Sequence, residues 1–307
     1  MSTLEEHLAE YLSMRRALGY DLDKLEYLVG QFCTWLNDQG KETFTTADAV
    51  TWARLPVDAD PSWWGMRVGA VRTFATYLDA IGVDVQVPPR AVLPTRPRRA
   101  APFIYTQADL EALLDACPQT FPRPLQAATM HTVISLLAAT GMRIGEALRL
   151  TPADVDTIIG VLTIRASKRK DRLVPIHPST VDALEAYREL PARKATRADR
   201  DAPLLVSSRG TGYHRSTIEG YFVRVVATAG LRPRGGARPR LHDLRHTFAT
   251  GHMAAAYAGG GDPHRTLTLL ATWLGHTSTA HTYWYLSATP ELMAAAATRI
   301  DSPKEGS

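Results

Sequence analysis

The chain has 307 residues, 45% of them hydrophobic, and a formal net charge of +4, which is enough for two domains with a core each. No apolar run is long enough to cross a bilayer, and the acidic, amphipathic opening MSTLEEHLAEYL does not read as a secretion signal. The only cysteines, Cys33 and Cys117, lack metal-ligand spacing and are too few for a disulfide framework, so they read as small buried hydrophobes of a cytoplasmic protein.

Helices are predicted up to about Val87. LEEHLAEYLSMRRALGY carries Leu4, Leu8, Leu12 and Leu18 at near-helical spacing and stops at Gly19. LDKLEYLVGQFCTWLNDQG ends at Gly40, TTADAVTWARL starts on a capping threonine, and Pro61 opens PSWWGMRVGAVRTFATYLDAIG, which Gly82 closes. Apolar faces would hold these helices in one small bundle, with Trp35, Trp52, Trp63 and Trp64 read as core rather than groove residues.

Residues 88–102 hold five prolines, Arg90, Arg96, Arg98 and Arg99, and no acid. Such a stretch neither continues a helix nor readily makes a strand, and it reads as a stiff basic linker. LRPRGGARPR, residues 231–240, also has four arginines and no acid, and SKRKDR places three cations before its first acid. Basic clusters between neutral elements suit contact with a phosphate backbone, although each alone could be a solvated loop.

A second domain is predicted over residues 103–307. Thr106 caps the helix TQADLEALLDAC, QAATMHTVISLLAATG makes a buried helix ending at Gly141, and MRIGEALRL starts the next helix at once. ADVDTIIGVLTIRAS leads into a strand, KRKD turns, and RLVPIH returns. PSTVDALEAYREL is a helix capped by Ser179 or Thr180, APLLVSS a short extended piece, and HRSTIEGYFVRVVATAG another helix. TPELMAAAATRI is the predicted C-terminal helix.

The stretch Leu241–Leu286 holds the chemistry. His242 and Arg245 lie one helical turn apart, WLGH ends on His276, and the Tyr-rich stop TYWYL carries Tyr285. Breaking a phosphodiester by nucleophilic attack requires neutralised non-bridging oxygens, an in-line nucleophile and a proton for the leaving oxygen. Arginine suits the first task because its fork bonds two oxygens and stays charged. Arg143 follows the glycine that ends a buried helix, with Glu146 one turn on to hold it; taken alone, it reads rather as a surface arginine in a helix salt bridge.

ATGMRIGEAL, LHDLRHTFAT, WLGH and TYWYL, in this order, resemble the tyrosine recombinase (lambda-type phage integrase) family, and HTYWYLSATPELM looks most like its mobile-element and transposon branch. The resemblance implies a mostly α fold with a small β-sheet: a helical core-binding (SAM-like) domain, then a mixed α+β catalytic domain. It also implies that Arg143 and Arg245 clamp the scissile phosphate, that His242 assists proton transfer or bonds a phosphate oxygen, and that His276 holds the transition state. Tyr285, the ninth residue after His276, is the implied nucleophile, ahead of Tyr283. The family's general acid is a hairpin lysine. A gap-free match puts Ser167 at that place, a turn one residue shorter restores Lys168, and Lys168 is chosen over Lys170. Arg172 is read as touching DNA backbone or pairing with Asp171, and His246 as a structural support. The implied partners are double-stranded DNA with inverted-repeat core sites and further copies of the chain, a tetramer on DNA joined by the tail at Pro290–Ile300. No metal or cofactor and no membrane are implied, and the protein would work at the nucleoid. A type IB topoisomerase and a non-catalytic DNA-binding factor of the same fold remain the alternatives.

Overall fold

The computed structural model describes residues 3–93, 101–165, 171–196, 198, 201–258 and 262–275. The chain divides into two compact units, Met1–Arg99 and Ala100–Ser307. Among the described residues it is mostly helical, with one three-stranded sheet.

The first unit is a bundle of α1 (Leu4–Ala17), α2 (Asp23–Asp38), α3 (Thr46–Ala53) and α4 (Pro61–Ala80). Thr3 with Glu6 and Thr45 with Asp48 form reciprocal caps, and Asp60 caps α4 ahead of Pro61, whose missing N–H costs nothing there. Phe32 centres the core, with its ring 5.0 Å from Phe44 and 5.2 Å from Trp52. Trp52 is fully buried, while Trp35, Trp63 and Trp64 pack against the core from partly buried positions. The buried Arg67 lies 3.6 Å over the Trp52 ring and donates to its carbonyl at 2.9 Å. The chain leaving the bundle is fastened to it: Arg72 donates to the carbonyls of Pro88 (2.7 Å) and Pro89 (2.6 Å), and Leu93 is buried in the core. Residues read from sequence as the start of a linker thus pack on the first unit.

The second unit is built round α6 (Pro124–Thr140), which is buried on most sides. It packs against α5 (Gln107–Thr120), α8 (Pro178–Glu189), α10 (Arg215–Thr228) and α11 (Asp243–Ala258). Thr106 caps α5 reciprocally with Asp109. After α6 comes α7, a single turn over Ile144–Ala147, shorter than the helix expected across MRIGEALRL. The reason lies at its end. The Leu150 carbonyl turns aside to accept the Leu204 N–H at 2.6 Å, and Pro152 follows two residues later.

A 3₁₀ turn, Pro152–Asp154, leads into β1 (Val155–Asp156), β2 (Val161–Ile164) and β3 (Arg172–Pro175), an antiparallel sheet in that order. Leu162 and Val174 are partners across β2 and β3 and point into the core. The α8 cap is His177, not Ser179 or Thr180: its imidazole accepts from the Ser179 N–H, and Pro178 fills the first helical position. The short α9 (Pro191–Lys194) follows. Among the described residues APLLVSS makes one bridge, Val206 to Gly212, and Leu204, Leu205 and Val206 are fully buried. α12 (Pro263–Trp273), capped by Asp262, packs against α11 through a separate cluster of Phe248, Met253, Leu267, Leu270 and Leu274. The tail helix expected at Pro290–Ile300 lies outside the described residues.

Candidate active site

The site is assembled where the C-terminal end of α6, the start of α11, the end of α12 and the start of β3 meet. α6 ends at Gly141 with φ of +64°. A Cβ there would sit 2.6 Å from a Phe248 ring carbon and 2.9 Å from a Leu274 methyl, so only glycine permits both the left-handed turn and the close approach of α11 and α12. Met142 is buried, and the half-exposed Arg143 takes the extended cap position before α7.

Glu146 fixes that cap. Its carboxylate accepts the Arg143 N–H at 2.8 Å and an Arg143 Nη1–H at 3.1 Å. The same carboxylate accepts both terminal nitrogens of Arg172, at 3.1 and 2.8 Å. Burial alone would push Glu146 up, but the Arg172 fork, the Arg143 amide and the two guanidinium charges outweigh it and hold its pKa at about 2. Arg172 also donates from Nε to the Trp273 carbonyl at 2.8 Å, and the Trp273 indole donates to the Thr140 carbonyl at 2.9 Å. The expectation that Arg172 pairs with Asp171 or touches DNA backbone is therefore replaced by an internal role.

Arg245 is only 2% exposed. Its Nη1 donates to the Gly141 carbonyl and its Nη2 to the Leu274 carbonyl, both at 2.7 Å. Each carbonyl lies two residues ahead of another predicted site residue, Arg143 in one strand of chain and His276 in the other. One guanidinium so gathers three distant parts of the sequence.

His242 directly precedes α11, and its ring meets His246 edge-on at 5.1 Å. It keeps an exposed edge. Desolvation lowers its pKa below the ordinary imidazole value, followed by the positive charge of Arg245; Arg240 and Arg143 act the same way, and Asp243 opposes them. The helix start is itself anchored: fully buried Asp243 accepts an Arg240 fork at 3.0 and 2.8 Å, and the Tyr105 hydroxyl donates to the Arg240 carbonyl at 3.0 Å. Two arginines of the 231–240 stretch thus have internal partners, since Arg234 pairs with Asp109 and lies 4.3 Å over the Phe103 ring.

Arg245 is bonded to the carbonyl two residues before Arg143, and His242 immediately precedes the helix that carries Arg245. Lys168, Lys170, His276 and Tyr285 lie outside the described residues. Sequence reading gave Arg172 the wrong partner. Its signal, a cation at the foot of a hairpin, does not reveal a carboxylate 26 residues earlier.

The phage integrase family model matches residues 104–291. The chain is 39% identical to a putative integrase/recombinase, y4rB, of Sinorhizobium fredii, over 98% of each chain. It is 31% identical to tyrosine recombinase XerC of Rhizobium meliloti over 72% of this chain and 65% of that protein. The crystal structure of XerA recombinase superposes with a TM-score of 0.53 at 25% identity, covering 97% of this chain and 99% of that one. The Tn1549 transposon integrase, solved in complex with transposon right end DNA, shares the fold at a TM-score of 0.66 and 16% identity, covering 98% of this chain and all of that one. With its second unit matched by the family model and its whole length by a relative, this chain belongs to the phage integrase family and is a tyrosine recombinase.

Proposed function

We propose that the protein breaks and rejoins strands of double-stranded DNA at specific sites, with Arg143, Lys168, His242, Arg245, His276 and Tyr285 as its catalytic set. The Tyr285 oxygen attacks the scissile phosphorus, forming a phosphorus–tyrosine bond as the bond to the 5′ oxygen breaks. The leaving 5′ oxygen takes a proton from Lys168, or from Lys170 on the same turn, and His242 relays the phenolic proton. Arg143, Arg245 and His276 hold the non-bridging oxygens as negative charge builds. Attack by the 5′ hydroxyl of a second duplex reverses the step and completes the exchange. The bond energy stays in the 3′-phosphotyrosyl link, so no nucleotide cofactor is called for.

The observation that supports this reading is the buried Arg245 guanidinium, bonded to the Gly141 and Leu274 carbonyls on the segments that lead to Arg143 and His276, on the helix that His242 opens. A phenol with an ordinary pKa of about 10 needs such neighbours to act as an anion. A neutral imidazole at His242 fits proton acceptance. The finer reading is a mobile-element enzyme that works in integration, excision or transposition, as a tetramer on inverted-repeat sites, with the Pro290–Ile300 tail joining protomers at the nucleoid.

A nicked suicide duplex tests the chemistry. The wild type should form a covalent adduct, and Tyr285→Phe should form none. An adduct that persists in Tyr285→Phe removes Tyr285 from the role. Holliday junctions between two labelled duplexes distinguish strand exchange from the nicking and swivelling of a topoisomerase.

A further inference from the structure

Glu146 serves two arginines unequally. Arg172 gives it a two-nitrogen fork at 3.1 and 2.8 Å, whereas the Arg143 side chain gives one bond at 3.1 Å. The side chains of Glu146 and Arg172 are 10% and 14% exposed, and that of Arg143 is 39% exposed. The buried carboxylate therefore belongs chiefly to Arg172, and Arg143 keeps an open side. Arg172 is held from a third direction by the Trp273 carbonyl at 2.8 Å, and a Cβ on Gly275 would come within 3.0 Å of its Nη1. Its guanidinium is thus held by bonds to two separate elements.

The charges then decide what Arg143 can do. Arg143 and Glu146 alone sum to zero, and an anion meeting that pair would compete with a carboxylate for the guanidinium. With Arg172 the three groups sum to one positive charge on the open, Arg143 side. At reduced effective dielectric that difference is large. We propose that Arg172 is a positioning residue that neutralises Glu146, leaving Arg143 its full positive charge for the scissile phosphate. This inference rests on the reading of Arg143 as a phosphate clamp.

The test is single-turnover cleavage of a suicide duplex by the full chain, with either the native phosphodiester or an uncharged methylphosphonate at the scissile position. Arg172→Gln should cleave the native substrate about 100-fold more slowly than wild type, yet fall within about threefold of it on the methylphosphonate, where no anion needs neutralising. Glu146→Gln combined with Arg172→Gln should regain at least about tenfold over Arg172→Gln on the native substrate, since the carboxylate to be balanced is gone. Arg172→Lys keeps the charge without the fork, and should stay within about tenfold of wild type. Equal losses on both substrates in Arg172→Gln, or a double variant no faster than the single one, would overturn the proposal. Should Arg172→Gln not fold, Arg172→Lys decides: near-wild-type cleavage of the native substrate supports the charge role, and an equal deep loss on both substrates sinks it. The underlying reading fails separately, through a wild type that forms no adduct with either substrate or an Arg143→Ala variant that the methylphosphonate does not rescue.

Discussion

Arg143 and Arg245 look alike in sequence but differ in what else they do. Arg143 is half-exposed and braces a single helical turn, so Arg143→Ala should raise the cleavage barrier by about 2–4 kcal/mol with little change in melting temperature. Arg245 is buried, and its removal orphans two carbonyls. Arg245→Ala should lose cleavage to a similar degree and also lose on the order of 3 kcal/mol of stability in denaturant titration. Equal melting temperatures for the two variants would contradict this division. As the proposed proton acceptor, His242 should set a pH limit. Its pKa lies below the ordinary 6.5, so the imidazole is neutral down to mildly acid pH, and proton acceptance is lost only as pH falls below that ordinary value. The acid limb of the single-turnover rate should therefore lie under pH 6.5, and His242→Asn should remove it. At this scale the sequence was most informative where spacing is local, as with Arg143 and Glu146 or His242 and Arg245. It was least informative for Arg172, whose partners lie on α7 and α12 and become neighbours only in the folded chain.

Among the elements, the α6 terminus has the tightest geometry. Gly141→Ala meets both a left-handed backbone and the Phe248 and Leu274 side chains, and it should destabilise the second unit by about 1–3 kcal/mol in thermal melts. The joint between β3 and α7 should be acid-sensitive. Glu146 has a folded pKa of about 2 against an ordinary 4.5. A depressed carboxylate stabilises fully above the unfolded value, and that stability is lost as pH falls from about 4.5 towards 2. Glu146→Gln should cost on the order of 3 kcal/mol at neutral pH and flatten the stability curve across that window. The capping threonines Thr45 and Thr106 were legible because a cap and its acid lie three residues apart. The length of α7 and the cap of α8 were not, because one depends on a distant Leu204 amide and the other on a histidine acting as acceptor.

For the whole molecule, the sequence changes from successive helices to a proline-rich basic stretch, and the chain divides at Arg99 into two units with separate cores. Where the first core ends was not legible in the sequence, because the burial of Leu93 and the Arg72 bonds to Pro88 and Pro89 arise only on packing. A fragment of residues 1–93 should fold by itself with a cooperative helical melt by circular dichroism, whereas one truncated at residue 87 should be less stable for want of Leu93. DNA affinity of the full chain should fall steeply with salt, and neutralising Arg96, Arg98 and Arg99 together should reduce the log–log slope by up to about 3; an unchanged slope would remove that stretch from the contact.

On the proposed function, Arg245 holds the second unit together at the same place where it serves the reaction. Inside a cell, the two arginines should therefore fail in different ways. Lesions at Arg143 should accumulate as inert protein at normal abundance, whereas lesions at Arg245 should be recognised by quality-control proteases and disappear from the blot as well as from the assay.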